Sequence, residues 1–536
     1  MFDLVIKNGF VVDGTGKPGF NADVAVKDGR IAIVGSTTEY AARTIDAEGL
    51  VVSPGFIDIH SHTDELVIAN PTCESKLTQG VTTEVSGNCG DSAAPRGGKQ
   101  NLEEASKWLT EYGINLTWRS LDEYFDVLES IQMAVNCITL VGNGTLRSVV
   151  MGNDDRPATP SEISEMRRLV EESMKAGAFG LSSGLIYPPS CYADTEELIE
   201  LCKGVAPFGG FYASHIRNES ERLCEAVEEA ITIGKEAGVG VQISHHKACG
   251  KPNWGLVNES LALIDKARAE GLDVWADQYP YVATSTGLGI MFPKWAYAGG
   301  NRSLTERLRD ADERSKIRDE MISNTESGWI KDSCGWEAVV ISSVREECNK
   351  HFEGRSIAEI AQEQGKHPVD IAIDLMLSEN GHIGMVHFVI NEDDVKRVMA
   401  HPAVLIGSDA TARATTGPLN RGKPHPRAFG TFARVLGKYV REEKVLTLEQ
   451  AVAKMTGLTA QRLGLANRGI IAEGFWADIT IFDAETISDA ATFKEPLTPA
   501  IGIKYVVVNG KVCVDDGRIV DSGLGAGRVI RRGRDR

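Results

Sequence analysis

The chain of 536 residues carries 75 acidic against 57 basic residues, a formal net charge of −18, with 42% hydrophobic and 25% charged residues. That length and balance describe a globular protein with a large core and more than one domain, and the acidic surface argues against a nucleic-acid partner, whose phosphates ask for basic faces. No apolar run is long enough to cross a bilayer, and "MFDLVIKNGF" reads without the charged leader and apolar stretch of a signal peptide.

The first fifty residues read as short strands, "DLVIKNGFVVDG", "ADVAVKDGRIAIVG" and "TIDAEGLVV", punctuated by Asn-Gly, Asp-Gly and Glu-Gly turns. The far end repeats that texture in "ADITIFD" and "IKYVVVNGKVCVDDGRIV". Residues 1–54 and 466–536 are therefore expected to form one small β-sandwich domain from both ends of the chain. Between them, over 55–465, strands alternate with amphipathic helices. The strand candidates are "GFIDIH", "TTEVSGNC", "CITLVGNG", "GLSSGLIY", "GFYASHI", "GVQISHH", "DVWADQYPY" and "AVLIGSD". Helical stretches such as "SEISEMRRLVEESMKAG" and "LCEAVEEAITIGKEAG" separate them. Eight strands in that rhythm predict an α/β fold, a (β/α)8 TIM-type barrel. A doubly wound open sheet is the other arrangement, but no Gly-rich dinucleotide fingerprint follows the first strand. The long stretch between the seventh and eighth strands predicts a lid over about 283–345. Ten cysteines without CxxC spacing imply reduced thiols and a cytoplasmic location. The one basic cluster, "RVIRRGRDR", reads as a solvated terminus.

Metal-capable side chains fall on this map at strand ends. His60 and His62 close the first strand on one side of it, since side chains alternate with period two. Cys89 ends the second strand, His215 the fifth, His245 the sixth and Asp409 the eighth. Barrels of this kind carry their chemistry at that C-terminal face. Taken singly, each residue could be a strand cap or a satisfied core group; as a set in one layer they read as a metal site. Imidazoles, a thiolate and a carboxylate suit Zn²⁺ better than Mg²⁺ or Ca²⁺, with iron and manganese open. Cys89 as the nucleophile of a Cys-His enzyme is the competing reading, although that pair needs none of the other donors.

The motifs "PGFIDIHSHTD", "GVTTEVSGNCG", "GAFGLSSGLIYPP", "SHIRNES", "ISHHKACG", "DQYPYVATST", "IGSDA" and "HPRAFGTFARVLGKYVRE" resemble the N-acyl-D-amino-acid deacylase (D-aminoacylase) family of the amidohydrolase superfamily. The likeness spans nearly the whole chain. It implies a tight zinc on Cys89, His215 and His245, and a weaker second site on His60, His62 and Asp409 with the thiolate bridging. Other amidohydrolases bridge with a carboxylated lysine on strand four, which "GLSSGLIYPP" does not offer. The resemblance also implies that His245, not His246, enters the site. Parity then turns Lys247 the same way, to hold a substrate carboxylate with Tyr279, Ser285 and Arg427. Tyr187 is implied as a polarising group for the scissile carbonyl, with a core role as its other reading. Asn143 stands where many relatives carry histidine, which bears on the support behind the site or on one substrate contact. His351, His367, His382, His387, His401 and His425 fit no layer and read as structural or exposed.

The implied chemistry is amide hydrolysis of a small-molecule N-acyl-D-amino acid, with Asp409 as general base and then general acid. The D preference comes from the resemblance alone. "TGLGIMFPKWAYAGG" offers Ile290, Met291, Phe292 and Trp295 as an apolar wall, so neutral hydrophobic side chains are expected over acidic ones, unless Lys294 or Arg302 reaches the pocket. Cyclic-amide hydrolysis of the dihydropyrimidinase or hydantoinase kind, a D-specific dipeptidase and an inactive scaffold are the alternatives. Nothing points to a nucleic-acid or membrane partner, and assembly into a homo-oligomer is left open.

Overall fold

The computed structural model describes residues 1–323 and 334–534. The barrel strands are β1 (Phe56–Asp58), β2 (Val81–Ser86), β3 (Asn136–Thr139, continued by Val141–Gly142), β4 (Gly180–Gly184), β5 (Phe211–His215), β6 (Gly240–Ile243), β7 (Val274–Gln278) and β8 (Val404–Ile406). Neighbours pair in parallel from β1 to the first part of β3, and from its second part to β8. The interruption at Leu140 leaves the two halves as separate ladders. A parallel bridge between Ser61 and Ala410, with Asp409 N donating to His60 O at 2.7 Å, closes the ring.

The helices form for local reasons. Pro160–Ala176 starts at Thr159, whose side chain caps Glu162 N while Glu162 reaches back, a capping box with proline at the first helical position. It stops at Gly177, where φ is 123°, and buries Met166, Val170 and Met174. Leu223–Ala237 ends in the same manner at Gly238, with φ 71°.

Five strands from the first 54 residues and four from beyond residue 478 join in one nine-stranded sheet. Its seam is the antiparallel pairing of Val51–Pro54 with Ile479–Phe482. Leu4, Ile6, Val24, Val52, Ile479 and Val507 are among the residues of the core it encloses. Between β7 and β8 a further substructure rises over the barrel mouth. Thr284–Gly287, Gly384–His387 and Val339–Ser343 form an antiparallel sheet in that order, packed on helices with a core of their own. Residues 324–333 of the expected lid lie outside the described residues. No described helix is long and apolar enough to cross a membrane.

One expectation fails. The basic tail is no solvated terminus among its described residues. Ile530 is fully buried with Ile57, Phe179, Phe211, Trp275 and Leu405 in the barrel interior. Arg531 and Arg532 stack on Phe125 and Phe179, and Arg532 donates to the carbonyls of Phe208 and Leu463. Alternating charge had masked one apolar side chain that stoppers the floor. Ile530→Ala should therefore cost about 2–5 kcal/mol of stability, read as an earlier denaturant midpoint; an unchanged midpoint would return the tail to solvent.

Candidate metal centre and active site

Cys89 sits on a sharp reversal after β2. Its φ is 52°, between Gly87 at 77° and Gly90 at 80°. A side chain at Gly87 would meet Leu140 O at 2.1 Å, and one at Gly90 would meet Gly184 N at 2.7 Å. Only glycine lets this loop press against β3 and β4, and the reversal aims the thiol at the barrel axis. His245 and Asp409 also hold left-handed backbone, at 36° and 49°. Strained non-glycine positions of that kind are kept where the surroundings over-determine them, and they cluster at functional sites.

The sulfur lies 3.4 Å from His60 Nε2 and 3.5 Å from His245 Nε2. His62 Nε2 is 3.0 Å from Asp409 Oδ1, and His60 Nε2 is 3.5 Å from the same oxygen. Two donor sets result, His60–His62–Cys89–Asp409 and Cys89–His215–His245, the donor atoms of each lying within 4.8 Å of one another. The two sets share the sulfur. Burial opposes a thiolate at Cys89, but the imidazoles of His60, His245 and His215 outweigh it and hold the thiol well below its usual value. Asp409 likewise stays ionised, since Arg427 and His245 overcome the cost of its burial.

Each imidazole is steered by what its other nitrogen meets. His60 Nδ1 bonds Asp277 Oδ1 at 2.9 Å, so Nε2 faces the cluster. His245 Nδ1 meets Glu219 Oε1 at 3.0 Å and Lys247 Nζ at 2.7 Å, again leaving Nε2 inward. His215 lies 4.4 Å from the His245 ring with both nitrogens buried and without a hydrogen-bond partner. Such an orphaned imidazole is costly unless another group occupies its lone pair. Asp277 and Glu219 were not singled out from the sequence. Asp277 also accepts from His245 N at 2.7 Å and Gln242 Nε2 at 2.9 Å, locking β6 and β7 to β1. Their one sequence signal was a carboxylate near a strand end, which does not set them apart from other acids.

His246 turns away from the site, its Nε2 2.9 Å from Ser260 Oγ. Lys247 turns inward and ion-pairs with Glu219 at 2.5 Å. Tyr279 stands between two cations, with Arg427 Cζ 4.6 Å and Lys247 Nζ 5.7 Å from its ring centre. Arg427 NH1 pairs with Asp409 Oδ2 at 2.7 Å and NH2 donates to Ser285 O at 3.3 Å. The Ser285 hydroxyl donates to Met385 O at 3.1 Å, within the lid sheet. His425 is structural, as expected, but at the back of the site: its Nδ1 accepts from Arg427 N at 3.0 Å. Tyr187 OH accepts from Thr286 Oγ1 at 3.1 Å, and burial keeps the phenol protonated.

A cavity of about 650 Å³ opens over this cluster, and every residue named as a site candidate lines it except His60, which lies beneath. The expected apolar wall is not there. Met291 and Phe292 belong to the lid's own core, with Trp295 packed against it, and of the four only Ile290 borders the cavity. An apolar run can satisfy a local core as readily as a pocket, and here the core takes it. Lys294 and Arg302 do not border the cavity either. Asn143 is buried behind the site, where it bonds Ser190 Oγ and donates to Glu197 Oε1 at 3.4 Å.

A barrel closed in this way, with donors at its strand ends and a β domain made from both termini, defines a hydrolase of the amidohydrolase class, and the profile of the amidohydrolase family matches residues 43–278 and 332–514. D-aminoacylase of Alcaligenes xylosoxydans xylosoxydans is 39% identical over 99% of this chain and 98% of its own. N-acyl-D-glutamate deacylase of Bordetella bronchiseptica, solved with zinc and a phosphonate mimic of the tetrahedral intermediate, is 35% identical, covers 99% of each chain and superposes with a TM-score of 0.82. A D-aminoacylase structure with a binuclear metal centre is 37% identical over 99% of this chain and 100% of that one, with a TM-score of 0.81. The chain belongs to the N-acyl-D-amino-acid deacylase (D-aminoacylase) family of the amidohydrolases.

The shared sulfur yields a direct test. Cys89→Ala should abolish tight metal retention, measured as metal per chain after dialysis. A variant that retains metal as the parent protein does would remove Cys89 from the donor set.

Proposed function

We propose that the protein is a zinc-dependent hydrolase that cleaves N-acyl-D-amino acids to a carboxylate and a free D-amino acid. The observation that carries this reading is His215: a buried imidazole with two orphaned nitrogens, aimed into a cluster of soft and borderline donors, fits a zinc ligand. Cys89, His215 and His245 would hold the tight ion. His60, His62 and Asp409, with the shared sulfur, would hold a weaker one. Bound there, zinc would supply Lewis acidity and lower the pKa of water toward about 7.

The chain's own groups account for the remaining steps. Lys247 and Arg427, on either side of Tyr279, receive the substrate carboxylate. The Tyr187 hydroxyl donates toward the carbonyl oxygen as charge grows on it. Asp409 takes a proton from the attacking water as the C–O bond forms, and gives it to the amine nitrogen as the C–N bond breaks. Arg427, paired with Asp409, ties the carboxylate clamp to the base. β4 carries no lysine, so Cys89, common to both donor sets, would take the place of the carboxylated lysine of other amidohydrolases.

The same proposal divides the chain into a barrel of 55–465 with a lid over about 283–345, and a β domain of 1–54 and 466–536. All ten cysteines are free thiols, which supports a cytoplasmic setting. On the lid side the cavity meets Thr284, Ser285, Thr286 and Ile290, none of them charged. A second substrate carboxylate would find no cation there, and an unpaired buried carboxylate costs several kcal/mol. The proposed preference is therefore for neutral over acidic D-amino acids.

Asp409→Asn should keep the tight zinc and lose about 10²–10⁴-fold in kcat; near-normal turnover would take Asp409 out of the proton path. For the side chain, kcat/KM for N-acetyl-D-Leu should exceed that for N-acetyl-D-Glu, with both L-forms inert. A preference for D-Glu would show that a cation reaches the side-chain pocket.

A further inference from the structure

Arg427 opens the helix Arg427–Arg434, and the residue at the cap before it is Pro426, which has no side-chain group to offer the first helical N–H. His425 fills that place. Its Nδ1 accepts from Arg427 N at 3.0 Å, and its Nε2–H donates to Ala283 O at 3.0 Å. One acceptor and one donor exhaust a neutral imidazole and fix its tautomer. Burial and the neighbouring Arg427 cation hold the ring well below its usual pKa, in keeping with that form. Tyr281 and Phe493 meet it edge-on, their ring centres 4.9 Å and 5.0 Å away at 88° and 78°, so the plane of the imidazole is held as well.

Arg427 is thereby anchored at both ends to one short stretch, the root of the lid strand Thr284–Gly287. At its tip, NH2 donates to Ser285 O at 3.3 Å; at its base, His425 carries the connection to Ala283 O, two residues earlier. An arginine side chain has many rotamers to lose, and fixing base and tip on the same strand removes most of them before a ligand arrives. His425 itself is buried and does not border the cavity, so it meets no bound substrate and acts only through its neighbours.

We infer that His425 is a positioning residue for substrate recognition: by tying the base of Arg427 to the lid root, it fixes the guanidinium where the substrate carboxylate arrives. The inference rests on the amide-hydrolase reading above, since it needs a carboxylate held at Arg427. A packing role alone asks for a ring of similar size. This role asks for the Nδ1 acceptor and the Nε2 donor.

The test is a double-mutant cycle on N-acetyl-D-Leu hydrolysis, with His425→Leu, Arg427→Met and the two combined. His425→Leu should lower kcat/KM by about tenfold, the scale of a lost buried hydrogen bond whose partners stay unpaired. Metal per chain should stay at the parent level. In the Arg427→Met background the same substitution should change kcat/KM by less than about twofold, because the group it positions is gone. Binding of free D-Leu, followed by calorimetry, makes the same comparison without turnover. His425→Asn should recover most of the loss, since an asparagine side chain accepts from the backbone N–H two residues on. His425→Phe, a ring without either nitrogen, should behave as His425→Leu and serves in its place if the leucine variant does not fold. Equal losses with and without Arg427, full activity in His425→Phe, or an unchanged kcat/KM in His425→Leu would each make His425 a packing group and overturn the inference while the enzyme reading stands. A parent protein that hydrolyses neither N-acetyl-D-Leu nor N-acetyl-D-Glu would remove the function reading, and this inference with it.

Discussion

Everything at the barrel mouth depends on one sulfur placed between two sets of imidazoles. A thiolate in a buried position is unfavourable unless positive or polarisable groups surround it. That requirement reaches far into the chain. It asks for the left-handed turn at Cys89, for glycine at 87 and 90, and for two more strands to deliver imidazoles within about 3.5 Å of the sulfur. The ring of strands closes through His60 and Asp409, so two of the donors are also part of the barrel's last seam. Loss of register there would move ligands and closure together.

The carboxylates behind the cluster set its geometry. Asp277 reaches β1 and β6 at once, through His60 Nδ1 and the His245 amide, and Glu219 gathers His245 and Lys247. Each holds an imidazole by the nitrogen that faces away from the centre, so that the inward nitrogen keeps its lone pair for a ligand. The clamp follows the same pattern. Lys247 answers Glu219 and Arg427 answers Asp409, so neither cation is buried without a counter-charge before substrate arrives. On the proposed function, a substrate carboxylate entering between them would meet donors that are already oriented, which limits the entropy lost on binding.

The sequence made the barrel and the donor layer legible because both rest on short-range rules. Period-two alternation predicts that His245 and His246 part and that Lys247 turns inward, and they do so although β6 ends at Ile243 and His245 holds left-handed backbone; strand ends mark where side chains can converge. Asp277 and Glu219 escaped because a carboxylate that orients an imidazole has no local pattern; only the fold brings Asp277 to His60, 217 positions away. Ile530 escaped for the opposite reason, since the arginines around it dominate any local reading. In the structure those arginines lie over Phe125 and Phe179, their planar heads serving as part of the wall.

The lid is where composition misled most, and the reason bears on specificity. Met291 and Phe292 are apolar because the lid must hold itself together on a core separate from the barrel's, around Leu304, Ile341 and Met376. Having spent its large side chains there, the lid presents to the cavity only its strand edge and the turn that follows, through Thr284, Ser285, Thr286 and Ile290. Two of those positions also reach the site, Ser285 O accepting from Arg427 and Thr286 Oγ1 donating to Tyr187. The β2 and β3 loops on the far side meet the lid as well, through Gly299 N to Asn153 O at 3.1 Å and Arg345 to Glu111 at 3.4 Å. The lid edge, the far loops and the site are thus joined by direct contacts, and a change in one element carries to the others.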